Sequence, residues 1–493
     1  MTDALDSTPA FYRTVWRWHF YAGLVVAPFM LVLAVTGAIY LFNREINDLL
    51  QTRQRIVAPS AEAVPLSRMI AAALAVHPGG RATRVDTPRE PGRSVEIFVT
   101  PAAGEPLRVF VDPGTGRVLG SHVYARTLVG FADRAHGSLM LGDLGDAIVE
   151  LAACWGFILT VTGLYLWWPR GRPRLGGVLV PRWRARGRMV WKDWHAVIGM
   201  WTALLVMFLI LTGLPWATIW GDLLRRGTDL AGIGYPVSHR SHGAAPVSAM
   251  PPLKEAGAGA APWTLENEPM LPSDPHAHHG AHAARDDGPR GETIGVDEVA
   301  AILAGAGMSD PYRLTLPRDA RGSFVAFTYP DQPETQRTLQ IDQYSGRILG
   351  DIRFSDYGWA AKAVELGVQI HMGNYFGRLN QIVMLLPCLG IVVLSVTGPY
   401  MWWRRRPKGG LGAPRALAPP GMRTVALIIV TLGLVFPLAG ASLLVVLLAD
   451  RLGSAWFGVG NNRDGQLSGA GPAVGASVTA GDRNGRSVLG PDG

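Results

Sequence analysis

Cysteine is nearly absent: Cys154 and Cys388 are the only two in 493 residues. That excludes a disulfide scaffold, a CxxC redox pair and a multi-cysteine zinc site. Both fall inside apolar runs and read as buried packing. Charge is scarce too, at 17% of residues, against about 25% in an average soluble domain. No dinucleotide or flavin motif is visible, because Gly257-Ala258-Gly259 lacks the strand-to-helix setting such a loop needs. What abounds is apolar: 48% hydrophobic residues and a mean hydropathy of +0.18 despite long polar stretches. The apolar residues must therefore be gathered in blocks, and several of the sixteen tryptophans sit at block ends. The net charge of +8 is concentrated in short loops, which argues for membrane topology and against a nucleic-acid surface. The chain reads as an integral membrane protein.

Five stretches reach the roughly 20 apolar residues that a bilayer requires: 21–42, 147–168, 196–220, 382–403 and 425–448. No small-residue cleavage site follows the first, so it is expected to be an uncleaved anchor. Short-loop basic residues set the orientation. Arg170, Arg172, Arg174, Arg182, Arg184, Arg186, Arg188 and Lys192 join spans two and three; Arg404, Arg405, Arg406, Lys408 and Arg415 join four and five. Both loops are expected to be cytoplasmic, as is the N-terminus with Arg13 and Arg17. The long segments and the C-terminus then lie outside. Trp16, Trp18, Trp167, Trp168, Trp191, Trp194, Trp402 and Trp403 fall at one boundary, as an interfacial aromatic belt does.

The chain is internally duplicated. Trp18-His19, Gly23 and Thr36-Gly37 recur as Trp194-His195, Gly199 and Thr212-Gly213, offset by 176 throughout. His136, Gly142, Thr162-Gly163, Tyr165 and Trp167-Trp168 recur as His371, Gly377, Thr397-Gly398, Tyr400 and Trp402-Trp403, offset by 235. Between them, Asp112-Pro113-Gly114-Thr115-Gly116-Arg117 matches Asp342-Gln343-Tyr344-Ser345-Gly346-Arg347. Each unit is span, external domain, span. Two crossings give both copies one orientation, so a parallel repeat about the membrane normal is expected, with helix one facing helix three and helix two facing helix four.

The external domains read as α+β. A helical pattern at 66–76 precedes strands at 95–100, 107–111 and 117–119; the second copy has a helix at 296–304 and strands at 324–329, 338–341 and 347–349. Residues 236–290 are rich in Pro, Gly, Ala and His without periodicity and are expected to be a mobile insertion; the Gly-rich tail after Arg451 is expected to be disordered.

Four histidines fall in two register-matched pairs. His19 and His195 open outward-running spans; His136 and His371 precede inward-running ones. Two helices offering imidazoles at one depth is what a bis-histidine haem needs. Gly37 and Gly213 lie 18 residues past His19 and His195, roughly 27 Å along a helix. That brings them toward the second pair, while Gly163 and Gly398 lie near the first. Such glycines would leave room for a porphyrin, although small residues are also ordinary membrane packing. A single histidine more often caps a helix or anchors an interface; the matched registers favour ligation. His239, His242, His276, His278, His279 and His282 cluster in the insertion, where a solvated linker is the simpler reading and weak metal capture by His276, His278, His279 and His282 the sharper one. A transporter is disfavoured by the near absence of ionisable residues within the spans, Glu150 excepted.

The pattern WHxxxG…TG, then D-x-x-[ST]-G-R-[VI]-L-G, then H…TGLYLWWPR, over about residues 12–406, resembles the PepSY-associated transmembrane family of iron-regulated inner-membrane proteins. The resemblance implies periplasmic PepSY domains, b-type haem on His19, His136, His195 and His371, and, in one branch, reduction of ferric siderophores. The His-rich insertion and the Gly-rich tail depart from the family pattern, and the fused flavodoxin- or flavoprotein-reductase domain that some relatives carry is lacking. The expected fold is a five-span α-helical bundle, a duplicated two-helix unit, with two periplasmic α+β PepSY-like domains. Its segments are span one, 12–43; domain one, 44–130; span two with its periplasmic extension, 131–169; a basic loop, 170–192; span three, 193–220; the insertion, 221–290; domain two, 291–365; span four with its extension, 366–404; a cytoplasmic loop, 405–422; span five, 423–449; and a tail, 450–493. The expected activity is inner-membrane electron transfer through two b haems to a ferric siderophore or other iron chelate. Haem moves electrons singly, which suits Fe(III) to Fe(II). The donor is a quinol or a separate reductase. The alternative is a haemless membrane protein that binds a metal chelate or regulates a peptidase.

Overall fold

The computed structural model describes residues 10–60, 62–170, 175–182, 184–236, 262–266, 271, 273, 293–309, 311–406, 422–446 and 448. The chain divides into two compact units, Met1–Ala439 and Gly440–Gly493; of the second, only 440–446 and 448 are described.

In chain order the helices are α1 (Ala10–Leu41), α2 (Asn43–Leu50), α3 (Thr52–Arg55), α4 (Leu66–Val76), α5 (Leu128–Ser138), α6 (Gly142–Trp167), α7 (Arg188–Gly213), α8 (Thr218–Leu230), α9 (Trp263–Glu266), α10 (Val296–Gly305), α11 (Trp359–His371), α12 (Arg378–Arg405) and α13 (Met422–Val435). The strands are β1 (Arg81–Asp86), β2 (Val95–Thr100), β3 (Leu107–Val111), β4 (Val118–Val123), β5 (Arg313–Thr315), β6 (Phe324–Phe327), β7 (Arg337–Ile341) and β8 (Ile348–Arg353).

Among the described residues, four helices are long and apolar enough to cross a membrane: Phe11–Leu41, Gly142–Trp167, Arg188–Trp216 and Arg378–Arg405. At 1.5 Å per residue each exceeds the roughly 30 Å of hydrocarbon. The fifth expected span, 425–448, is divided at Phe436 into α13 and a second short helix, Pro437–Val446. Pro437 has no amide hydrogen to carry the helix ladder through, and neither piece alone has the length to cross. Trp220 Nε1 donates to Val435 O at 3.0 Å, which pins the end of α13.

The four long helices form a ring in which α1 and α7 each pack on both α6 and α12. Helix pairs α1/α7 and α6/α12 therefore face one another across diagonals, as the duplication requires. The ring is filled by an apolar layer that includes Met30, Ala34, Cys154, Val206, Ile210, Met384 and Cys388.

All eight strands pair antiparallel in one sheet, ordered β4-β3-β2-β1-β5-β6-β7-β8. The two copies meet where β1 pairs β5, with Val85 opposite Leu314. They thus share a continuous sheet. These two joining strands are absent from the sequence reading, because β1 (Arg-Ala-Thr-Arg-Val-Asp) carries charge where alternation would show an apolar face. One face of each half is covered by a helix. Met69 and Ala73 of α4 pack on Val85, Ile97, Val99 and Val109; Val299 and Leu303 of α10 pack on Leu314, Ala326, Leu339 and Ile341. By the two-residue period of a strand, Arg84, Asp86, Glu96, Arg108 and Arg313 point to the opposite face.

Part of the insertion is seated in this fold, contrary to the expectation of a mobile, unpacked stretch. Trp263 and Leu265 are buried, and the Trp263 indole donates to Pro215 O at 2.6 Å. Thr264 donates through both its amide and its hydroxyl to Glu365 of α11, each at 2.9 Å. Leu271 and Ser273 are also held, by Gln340 and by Arg321 and Gln343. A lone Trp in low-complexity sequence has no periodicity to announce it, yet burying an indole is worth several aliphatic contacts.

Candidate functional site

Each of the four paired histidines meets a Thr-Gly step on a neighbouring long helix. His19 Nδ1 is 2.9 Å from Thr162 Oγ1, and His195 Nδ1 is 2.8 Å from Thr397 Oγ1. His136 Nδ1 is 3.1 Å from Thr36 Oγ1, and His371 Nδ1 is 2.9 Å from Thr212 Oγ1. The duplication is thus a duplication of a contact. His136 and His371 do not lie on the long helices: they end α5 and α11, short helices that fold back against α1 and α7. The chain reverses through positive-φ residues: Leu139 (φ +49°), Met140 (φ +61°) and Gly142 (φ +60°) after α5, and Gly373 (φ +77°) and Gly377 (φ +61°) after α11. Side chains other than glycine are strained there.

The threonines fix the tautomer. A hydroxyl has one proton, and each of these four gives it to the carbonyl four residues back in its own helix. Thr36 donates to Val32 O at 2.7 Å, Thr162 to Ile158 O at 2.8 Å, Thr212 to Phe208 O at 2.7 Å and Thr397 to Val393 O at 2.7 Å. What remains on each Oγ1 is lone pairs, so the imidazole Nδ1–H donates and the threonine accepts. His136 confirms the direction, since its Nδ1 also lies 3.0 Å from Leu33 O, a group that only accepts. In a neutral imidazole the other nitrogen, Nε2, then carries a bare lone pair. Held on one nitrogen and open on the other, this is how a protein presents histidine to a metal.

The glycines work on the same rings. A Cβ on Gly37 would lie 3.0 Å from His136 Cε1, on Gly163 3.2 Å from His19 Cε1, on Gly213 3.4 Å from His371 Cε1, and on Gly398 3.6 Å from His195 Cε1. Gly37 and Gly213 therefore serve the second pair and Gly163 and Gly398 the first, as the offsets require. The space each opens is taken by an imidazole edge, whereas the sequence reading reserved it for porphyrin.

His136 and His371 come together, with ring centroids 6.5 Å apart and planes at 82°. Two imidazoles on opposite sides of one metal atom are expected roughly 6 Å apart, with metal–nitrogen bonds of about 2.0–2.1 Å. Burial pushes His371 down to about 3, helped by the neighbouring His136, and burial also lowers His136. Both rings are neutral at physiological pH, the form that ligates. All four histidines keep part of their surface uncovered although they sit inside helix packing. For His136 and His371, the donor type, the tautomer and the ring spacing fit a bis-histidine haem. His19 and His195 hold the matching places on diagonal helices about 25 Å away, from the 17 residues between His19 and Thr36.

The sequence model described as the PepSY-associated TM region matches residues 16–405. The chain belongs to this family. No curated protein matches it. All four histidines of this PepSY-associated protein fall within the matched segment, and so do all four Thr-Gly steps. The insertion histidines His239, His242, His276, His278, His279 and His282 lie outside the described residues. Among the described residues no group of three or more His, Cys, Asp or Glu is arranged to hold a metal ion. Cys154 and Cys388 are free and buried, in the packing role expected of them. The threonines were visible in the sequence as repeat markers, but their role as acceptors for Nδ1–H was not. The i−4 hydroxyl bond that makes them acceptors exists only once the helix has formed.

Proposed function

We propose that this PepSY-associated membrane protein is a di-haem oxidoreductase of the bacterial inner membrane that carries electrons outward to a ferric chelate. The observation that carries the reading is the fourfold repeat of one contact, histidine Nδ1 on threonine with the imidazole edge on glycine, at two levels of a four-helix ring. His19 with His195 would hold one haem and His136 with His371 the other. Bound b haem would supply one-electron chemistry suited to Fe(III) and Fe(II). The threonines keep each Nε2 deprotonated and aimed. The apolar layer from Val26 to Ala34 and its partners excludes water between the levels. In this reading the basic loops are cytoplasmic, the sheet is periplasmic, the acceptor is a ferric siderophore or similar chelate, and the donor is a quinol or a separate reductase.

The test is optical. The full chain, purified in detergent, should show a six-coordinate low-spin haem spectrum and, once reduced with dithionite and freed of excess reductant, reoxidise when a ferric chelate is added. Protein that binds no haem would reject the reading and favour a haemless membrane receptor or peptidase regulator. Haem that stays reduced with every ferric chelate offered would leave the cofactor but remove the acceptor.

A further inference from the structure

The duplicated sheet contains its own control experiment. Strand register makes β1, β2 and β3 equivalent to β5, β6 and β7: Glu96 pairs with Phe110 where Val325 pairs with Gln340, and Phe98 pairs with Arg108 where Phe327 pairs with Thr338. On the face away from α4 and α10, the first copy thus carries Asp86, Glu96 and Arg108 where the second carries Thr315, Val325 and Thr338. The second copy closes this face with apolar packing from Tyr235, Leu265 and Phe354. The first leaves a cavity of about 240 Å³ between the sheet, the end of α1 with α2, and the start of α5. The second copy keeps only Arg313, the counterpart of Arg84, among the charged strand positions of this face, so the sheet does not require Asp86, Glu96 and Arg108 there, and their partial burial costs desolvation.

The charges are not balanced. Four carboxylates are each shared by two guanidiniums: Asp331 by Arg44 and Arg89, Asp48 by Arg55 and Arg93, Glu96 by Arg55 and Arg108, and Asp86 by Arg84 and Arg313. With Glu90 beside Arg93, seven guanidiniums meet five carboxylates in ion pairs, and Asp133, bonded to Tyr124, faces Arg108 as a sixth acidic group, so guanidiniums outnumber carboxyls by one. Each guanidinium has five N–H donors. Arg89 spends one on Asp331 and one on Tyr329 O, and the buried Nε of Arg108 has no hydrogen-bond partner. Burial first, then the charges of Arg44 and Arg313, hold the Arg89 guanidinium below its ordinary value.

The location is equally specific. Tyr40 lines the cavity one helical turn beyond Thr36, the residue that holds His136. Val129 lines it seven residues before His136 on α5, about 10 Å along the helix. We propose that this cavity binds a small, polyanionic, carboxylate-bearing ferric chelate directly above the His136–His371 pair. Forked guanidiniums match carboxylates bidentately. The volume is at or below the small end of ligand sites, roughly 300 Å³, which selects a compact chelate over a large macrocyclic one. The inference rests on the proposed reductase reading for the iron, but not for the charge.

The experiment is titration calorimetry on the full chain in detergent. The probes are gallium(III) citrate, which cannot be reduced here, citrate alone, and a neutral ferric trihydroxamate. Gallium citrate should bind, weaken as salt is raised, and lose about 10- to 100-fold in affinity in Arg89→Gln and Arg93→Gln, the size of one or two charge-assisted hydrogen bonds. Arg89→Lys should retain part of the affinity, and Arg353→Gln, on the edge strand β8, should bind as the unaltered protein does. Haem or far-ultraviolet circular dichroism checks that the variants are folded. No binding of gallium citrate by folded protein, unchanged affinity in both glutamine variants, or equal binding of the neutral trihydroxamate overturns the site. Binding of ferric citrate without its reduction would leave the site standing and reject the reductase reading; arginine-independent reduction would do the reverse.

Discussion

Replacing each of the four ring-facing glycines by alanine should produce a graded series, because the four clearances differ while the contact is the same. The new methyl would sit 3.0 Å from His136 at position 37, 3.2 Å from His19 at 163, 3.4 Å from His371 at 213 and 3.6 Å from His195 at 398. Carbon atoms rest at about 3.5–4.0 Å. At Gly398 the methyl fits, and alanine should gain the roughly 0.5–1 kcal/mol by which it exceeds glycine in a helix. At Gly37 the imidazole must give way. It is held by Thr36 and Leu33, so overpacking of about 1–3 kcal/mol should outweigh the helix gain. The expected order of stability is Gly398→Ala highest, then Gly213→Ala, Gly163→Ala and Gly37→Ala lowest. Unfolding midpoints measured under one protocol in detergent give the order, and the low-spin spectrum shows which histidine site is disturbed. Four equal effects, or Gly398→Ala as the most damaging, would refute the claim that these glycines exist to admit imidazole.

Three further outcomes follow from named contacts. Thr162→Val and Thr397→Val, near-isosteric changes, leave the Nδ1–H groups of His19 and His195 without their threonine acceptor. Metal-site affinity should fall about 10- to 100-fold, with the spectrum of the other pair intact; unchanged haem affinity would contradict the tautomer argument. Trp263→Ala should destabilise the protein by about 3–5 kcal/mol and disturb the His371 site first, since Thr264 beside it anchors α11 through Glu365; a neutral Trp263→Ala, read by denaturant titration, would mean the stitch carries no load. For Glu365, burial raises the carboxyl above its ordinary 4.5, against the lowering by Thr264, Gln336 and Arg225. A raised folded value stabilises fully below the unfolded carboxyl's range, and that contribution is lost as pH rises through the folded value. Glu365→Gln should therefore flatten the fall in stability with rising pH; an unchanged pH profile by thermal unfolding would contradict it.

How much of this was legible in the sequence depends on whether a feature announces itself by period. The long helices, the duplication and the four histidines were visible because apolar runs and fixed offsets need no tertiary context. The hydropathy of 425–448 reads as one continuous helix because such a sum is blind to the break at Phe436. Strands β1 and β5 were hidden because Arg84, Asp86 and Arg313 occupy a face that carries charge, and their pairing joins the two copies into one sheet. Trp263 was lost among residues of no pattern. The arginine cavity could have been sought in the duplication itself, by asking where the second copy replaces a charge with valine or threonine. Its closure by α1, α2 and α5 could not.

The most direct test of the central claim is haem stoichiometry in the unaltered protein and in His19→Ala, His195→Ala, His136→Ala, His371→Ala and the two within-pair double variants. Two haems per chain are expected in the unaltered protein. Each single variant should lose or disrupt one haem, and each double variant should match its singles, because ligands of one metal act as a unit. Progressive, additive loss from His19 and His195 together, or a full haem complement with all four replaced in turn, would contradict the assignment.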